Sequence, residues 1–199
     1  DHSIYDPAIT YDSNSNRIVI AYANSSRGYA KVGTVDPSDN SISFGSAVVY
    51  ESANTIDPRM DFDSSNNKVV IAYEDNGNSG YGTAIVGTVS GTGISFGSPV
   101  VFESAALGRG IGNTFDSTNN KMVITYVDNG NSEYGTAIVG TVSGTSISFG
   151  TPAVFNSGVT EKPNAQFSSV GGTVIITYCD EASGSASGKG PVTFLEGTV

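Results

Sequence analysis

Several residue types are scarce or absent in this 199-residue chain, and each absence narrows what the protein can be. The single cysteine, Cys179, excludes an internal disulfide and a cysteine-rich zinc site. The single histidine, His2, lies at the start of the chain, which argues against a Ser-His-Asp triad or a histidine metal cluster. There is no tryptophan, the aromatic residue best suited to stacking on sugars. No apolar run approaches the length of a membrane span.

Positive charge is also scarce. Nine Lys and Arg face nineteen Asp and Glu, which gives a net charge of −10. Such a surface repels phosphates, so nucleic acid and anionic membranes are poor partners, and no membrane insertion is expected. Charged residues make up only 14% of the chain, and Gly, Ser, Thr and Asn fill the predicted surface instead. This composition is typical of an extracellular or virion-surface protein. Because the chain opens on Asp1 without a visible signal peptide, we expect a mature or trimmed product.

The dominant feature of the sequence is repetition. The aromatic residues Tyr11, Phe62, Phe115 and Phe167 recur at intervals of 51, 53 and 52 residues. They mark four copies of one unit, at residues 1–52, 53–104, 105–157 and 158–199, within a single predicted domain of residues 1–199. The second and third copies are nearly identical, and the first and fourth are weaker.

Each unit is predicted to contain four short strands and no helix. The apolar, β-branched run KVVIAY and its counterparts predict a second strand that is buried on both faces. Asn-rich connections such as DSSNNK predict tight hairpins after the first strand. The prolines Pro99 and Pro152 place the fourth strand at an edge or a bulge. Longer connections follow the second and fourth strands and are expected on one face of the molecule.

Four antiparallel strands repeated every fifty residues or so predict an all-β fold, a four-bladed β-propeller of four-stranded antiparallel blades. A β-solenoid or stacked sandwich is the alternative. The fourth unit has no copy of the fourth strand, so its blade is incomplete. Three arrangements would complete or leave this blade. Residues 1–5 would supply a closing strand, the blade would stay three-stranded, or a neighbouring chain would donate the missing strand. The last alternative would make the protein a structural subunit of an oligomer or filament.

The string NGNSxYGTAIVGTVSGTxISFGxPxVF, present in the second and third units, resembles the tandem repeats of phage tail-fibre proteins and of large secreted bacterial adhesive proteins. The resemblance implies a propeller-like repeat and an adhesive role on a cell exterior or a virion. It implies no catalytic residues. In the first and fourth units the loop after the second strand departs from this string.

The loop after the second strand carries the residues that we predict to bind a ligand. An aromatic ring beside amide and carboxylate groups suits a sugar, so a glycan or another cell-surface ligand is the predicted partner. The alternative is that these residues form turns and pack between units. The predicted ligand-binding residues are Tyr29, Tyr81, Tyr134, Asp75, Asn76, Asn78, Asp128, Asn129 and Asn131.

The first strands are predicted to line a central channel at positions where the four copies differ. Arg59 is expected to pair with Asp61 or across the channel. The predicted channel-lining residues are Arg59, Asp61, Thr10, Thr114, Asn164 and Gln166.

No cofactor is predicted. Asp6 and Asp57 each precede a proline, and with the loop aspartates they offer oxygen ligands for calcium, but structural capping is the favoured interpretation. The predicted function is therefore non-catalytic binding or adhesion through the long-loop face. The alternatives are a structural repeat subunit and a carbohydrate-active enzyme that uses Asp57, Asp61 or Glu161.

Overall fold

The computed structural model describes residues 5–181 and 195–197, and within them the chain is almost entirely β. The helical elements whose bounds are described are two 3-10 turns, Asn76–Asn78 and Asn129–Asn131, and no helix in the described residues is long and apolar enough to cross a membrane. The strands are β1 (Tyr5–Asp12), β2 (Arg17–Ala23), β3 (Gly28–Asp36), β4 (Ser41–Phe44), β5 (Val48–Glu51), β6 (Thr55–Asp63), β7 (Lys68–Asp75), β8 (Tyr81–Ser90), β9 (Gly93–Phe96), β10 (Val100–Asp116), β11 (Lys121–Asp128), β12 (Tyr134–Ser143), β13 (Ser146–Phe149), β14 (Ala153–Ser168), β15 (Thr173–Asp180) and β16 (Leu195–Gly197).

Each of the first three units is an antiparallel meander whose outer strand is broken in two. In the first unit β1 pairs with β2 and β2 with β3, and then β4 and β5 both pair with β3. The second and third units repeat this arrangement with β9 and β13. Pro99 and Pro152 lie in the breaks, where they are exposed and no ladder bond is required of them. The sequence prediction of an edge or bulge at these prolines is confirmed.

The connections from the second unit to the third and from the third to the fourth are continuous strands, whereas residues 52–54 form a short break between the first unit and the second. The first half of β10 pairs with β8 of the second unit, and its second half pairs with β11 of the third. β14 joins the third and fourth units in the same way. The sequence predicts long connections after the fourth strand of each unit, and at ESAALGRG (residues 103–110) and NSGVTEKP (residues 156–163) this prediction is wrong. Their backbones stay extended, with register shifts in place of turns. The antiparallel sheets curl, and together they form a half-barrel.

A bulge bends the first strand of every unit at the same repeat position. The register shifts there, and the residue at the shift has a positive φ: 47° at Asp6, 50° at Asp57, 114° at Gly110 and 51° at Lys162. Three of these residues precede a proline. A non-glycine residue in this region is strained, so surrounding contacts must hold it. The Asp-Pro pairs thus mark a bulge, which increases local twist and bends the strand.

Successive units are held together by apolar faces. One cluster joins the first and second units, another the second and third, and a third the third and fourth. β7 and β11 are buried on both faces, as the sequence predicts, because each has a neighbouring unit on either side. The same prediction is wrong for β2 and β15, where buried and half-exposed residues alternate. These strands belong to the end units, which contact one neighbour each in the described part of the chain.

The tyrosine that ends the second strand bridges neighbouring units. Tyr73 and Tyr126 are fully buried, and each ring packs against an aromatic residue of the preceding unit, Tyr50 or Phe102, with centroids 5.2 and 5.3 Å apart. The Tyr73 hydroxyl donates to Glu51 over 3.1 Å. Burial, followed by the nearby Glu51 charge, raises the pKa of Tyr73, so this hydroxyl stays protonated and keeps its bond.

The hairpin between the first two strands is built around a buried carboxylate in the first three units. Asp116 is 2% exposed, and it accepts the backbone N–H groups of Thr118 and Asn119 at 2.9 and 3.1 Å. Asp12 and Asp63 make the equivalent bonds. Asn120 follows with a φ of 56°, a conformation that Asn tolerates. The predicted hairpin chemistry is confirmed.

Replacement of Asp116 with Ala should lower the free energy of unfolding by about 2–3 kcal/mol, because turn N–H groups and the Asn119 amide lose a charged acceptor in a buried place. Chemical denaturation measures the change. Asp36 makes a similar turn with Ser38 but is exposed, so Asp36→Ala is the matched control and should change stability far less. Equal losses in the two variants would contradict the role of burial.

Candidate functional site

The bulged segments of the first strands border a cleft of about 880 Å³, referred to below as the central cleft. Its walls come from the start of β6, the bulges of β10 and β14, the ends of β7 and β11, and Glu181, which follows β15. Asp6, Asp57, Gly110 and Lys162 all line it, and these are the four bulge residues with positive φ described above. The bulge therefore brings one repeat position from every unit to a common space. The units supply two carboxylates, a glycine and an amine at that position.

A second, smaller cavity of about 510 Å³ lies beside the central cleft and is lined by the first strands of all four units. We call it the inner cavity. The two share Asp6, Arg59 and Asn164, so they are contiguous. Of the predicted channel residues, Arg59, Asp61, Thr114, Asn164 and Gln166 line the inner cavity. Thr10 does not line it, but its hydroxyl lies 3.4 Å from a carboxylate oxygen of Asp61.

Arg59 does not pair with Asp61, so that part of the sequence prediction is wrong. The guanidinium of Arg59 forms an ion pair with Asp57 of the same strand, across the bulge. Asp61 instead accepts two backbone N–H groups, from Phe62 and from Phe115 of the next unit, each at 2.8 Å. Because these bonds already occupy its oxygens, Asp61 ties two units together and is not the partner of Arg59.

Asp57 and Glu74 are carboxylates of the central cleft whose charges are poorly solvated. Burial raises the pKa of Asp57, and the Arg59 charge and an N–H bond from Ile111 at 3.0 Å oppose that rise. Burial, followed by the nearby Asp57 charge, raises the pKa of Glu74 to about 6. Glu74 thus changes its charge near neutral pH, and its carboxyl group is a ready acceptor for a donor on a ligand.

Most of the predicted ligand-binding residues lie away from the central cleft. Asn129 alone among them lines it, and its amide donates to the Leu107 carbonyl over 3.1 Å. The remaining members start β3, β8 and β12, form the 3-10 turns or directly precede these turns: Tyr29, Tyr81, Tyr134, Asp75, Asn76, Asn78, Asp128 and Asn131.

Several of these residues have structural partners. Tyr29 stacks on Tyr22 with centroids 5.6 Å apart. Tyr81 pairs in register with Asp75 in the ladder of β7 and β8, and Tyr134 with Asp128 in that of β11 and β12. This placement agrees with the alternative in which the loop residues form turns and pack.

The loop aspartates do not assemble a metal site with neighbouring side chains. Burial, and then the charge of Glu51, raises the pKa of Asp75, and Asp128 is affected in the same way by burial and Glu103. The backbone N–H groups of the two 3-10 turns, those of Gly77 and Asn78 and those of Gly130 and Asn131, lower these pKa values and so oppose the rise. Within residues 6–181, no group of three or more His, Cys, Asp or Glu side chains is arranged to hold a metal ion.

Glu74 and Arg109 also line the central cleft, although neither was among the site residues predicted from the sequence. A signal was available. Glu74 stands at the repeat position that Ala23, Val127 and Cys179 occupy in the other units, and Val127 also lines the cleft. The four units thus have different residues at the end of the second strand, and this difference in sequence marks the part of the cleft lined by Glu74 and Val127.

No protein-family model matches the chain, and no curated protein has a similar sequence. The resemblance to phage tail-fibre and secreted bacterial repeats therefore stays a prediction, and the function must be inferred from the site itself.

Glu74→Gln should stabilise the protein at pH 7. A carboxyl group whose folded pKa is about 6, against a usual 4.5, contributes stability below pH 4.5 that is lost as the pH rises through 6. The shift corresponds to about 2 kcal/mol, and solvent screening of this half-buried group reduces it to about 1 kcal/mol. Gln does not ionise, so the gain should be present at pH 7 and should shrink toward pH 4. Unfolding curves across this range measure it. Glu133→Gln, an exposed change at the same cleft, is the control. A gain independent of pH would contradict the assignment.

Proposed function

We propose that the four units are the blades of a four-bladed β-propeller, the last with three strands in the described residues. The ring stays open between the first and fourth blades, as the exposed apolar face of the first unit indicates. The first strands of successive units contact one another in chain order, and all four border the inner cavity. Long-loop connections after the second strand and the bulges of the first strands then fall at one end of a central axis. The central cleft occupies that end.

The proposed function is non-catalytic binding of a glycan or another surface ligand by an extracellular or virion-surface adhesion module, with the central cleft as the site. The observation that carries it is the convergence of Asp6, Asp57, Gly110 and Lys162. A repeated scaffold holds its backbone constant there while the side chains differ. Such an asymmetric lining, presented by rigid strands at an open cleft, supports selective recognition.

The chemistry of the cleft supports a polar ligand rich in hydroxyl groups. Carboxylates of Asp57, Glu74 and Glu161 are acceptors for hydroxyl donors, and the side chains of Arg109 and Lys162 are donors. Acidic residues outnumber basic ones around the cleft, and the cationic side chains of Arg59, Arg109 and Lys162 lie among them, so the lining offers both acceptors and donors. The volume of about 880 Å³ falls within the range of small-ligand pockets, roughly 300–1,000 Å³. Two or three sugar residues would fit this description better than a phosphate or a metal ion.

A carbohydrate-active enzyme is the second candidate, favoured by one observation. Glu74, with a pKa of about 6, lies in the same cleft as the carboxylates of Asp57 and Glu161. A raised carboxyl pKa beside an ionised carboxylate is the pairing that acid-catalysed glycoside cleavage uses. Asp61, which the sequence grouped with these residues, lies in the inner cavity and is bound by backbone N–H groups.

The proposal is tested on a glycan array, followed by affinity measurement for any glycan retained. Arg109→Ala should weaken binding at least tenfold, because a charged hydrogen bond is worth about 1.5–3 kcal/mol. Arg17→Ala is the matched control, since Arg17 lies on the tight-turn side and bonds to the Gly91 carbonyl. An array without any retained glycan would contradict glycan binding.

Two further measurements separate the rival sites and activities. Tyr81→Ala tests the loop site that the sequence favours. If it abolishes binding while Arg109→Ala does not, the loop site is correct and the central cleft is not. Chromatography of the retained glycan after prolonged incubation tests for cleavage. Shortened products that disappear in Glu74→Gln would establish the enzyme instead of the binding module.

A further inference from the structure

The first unit exposes an apolar sheet face whose equivalents are buried in the later units. Ile9 is 64% exposed and Ile42 is 52% exposed, whereas their counterparts in the second unit, Met60 and Ile94, are 7% and 6% exposed. Tyr11 is 55% exposed, against 6% for Phe62. We call this surface the first-unit face; its most exposed apolar members are Ile9, Tyr11, Val35, Ile42 and Phe44.

The first-unit face repeats the chemistry of an interface that the protein already uses. In the second unit, the equivalent positions pack against the first unit; in the third unit, Phe115 and Ile147 pack against the second. The opposing surface is made of smaller residues, such as Ala21 and Ala30 of the first unit. Large side chains of one unit therefore pack over small side chains of the unit before it. The first-unit face carries such large side chains, and a unit placed before the first one would cover them through the same contact.

The complementary surface is present at the other end of the array. Ile175 and Thr177 of the fourth unit stand at the positions of Val70 and Ala72, which are fully buried against the third unit. Ile175 and Thr177 are only half-buried in the described part of the chain. One end thus presents the large-residue side of the repeated interface, and the other end presents Ile175 and Thr177 at two positions that receive such a side in the inner units.

We propose that the first-unit face docks on the fourth unit of a second copy of this chain, head to tail, through the contact that joins successive units within one copy. The two patches differ, so the contact is heterologous and forms closed rings or open filaments according to its rotation. It needs no donated strand, which separates it from assembly by completion of the last blade.

Two features keep this contact weaker than the internal ones. Lys31 lies on the first-unit face at the position that Ile85 and Ile138 occupy in the second and third units, where both are buried. The net charge of −10 also opposes the approach of two copies. Association should therefore be reversible, depend on concentration, and strengthen when salt screens the repulsion.

Sedimentation velocity over about 1–1,000 µM, the range of weak dissociation constants, tests the proposal. The chain should shift from monomer to larger species with concentration. The double variant Ile42→Asp/Phe44→Asp should weaken association at least tenfold, since it places two charges in the contact. Val170→Asp is the control, because Val170 is 99% exposed in the turn between β14 and β15. Circular dichroism checks that each variant is folded.

Mixing distinguishes this contact from others. Thr177→Arg on the fourth unit should also give a monomer. Combined with the Ile42→Asp/Phe44→Asp variant, it should form a heterodimer, because each variant retains the surface that the other lacks. A chain that stays monomeric at all concentrations, association unaffected by either change, or a mixture that does not pair would each overturn the proposal. None of these results depends on whether the central cleft binds a glycan.

Discussion

Burial of sheet faces between units is the interaction on which the rest of the structure depends. A four-stranded unit has apolar residues on both faces and cannot cover either of them alone. Val70 and Ala72 on one side of β7 contact the third unit, while Ile71 and Tyr73 on the other contact the first. Aromatic pairs such as Phe102 with Tyr126 extend the same contact to the outer strand. Stability therefore comes from neighbours, and a unit at the end of the array remains partly uncovered.

The bulge converts this regular packing into a site. A residue with positive φ bends the first strand in each unit, and the bends bring one repeat position from every unit to the central cleft. The scaffold tolerates Asp, Gly or Lys there because the backbone geometry, and not the side chain, is repeated. Bonds that cross between units, such as the Phe115 N–H donating to Asp61, hold the strands in place around the inner cavity. A binding site requires side chains that are held at fixed positions by a rigid backbone.

The site and the assembly surface thus have separate physical origins. The central cleft arises where copies of the repeat differ, and the first-unit face arises where a copy repeats a contact without a neighbour. Glu74 replaces an apolar counterpart and gives the cleft a carboxyl group that changes its charge near pH 6. Ile42 keeps the apolar character of Ile94 but lies in solvent. The proposed binding site and the proposed assembly contact therefore use different residues.

The sequence by itself determined the strand content, the four units, the hairpins built on residues such as Asp116 and the double burial of β7. Each of these follows from local pattern: period, β-branched runs and Asn-containing turns. Tertiary structure decided what depends on the path of the backbone. Because of the bulge, Arg59 forms an ion pair with Asp57 and not with Asp61. The segments predicted to be loops between units are instead parts of the long strands β10 and β14. It also moves the candidate site from Tyr81 to Glu74 and Lys162, because proximity across four units is set by curvature and not by spacing along the chain.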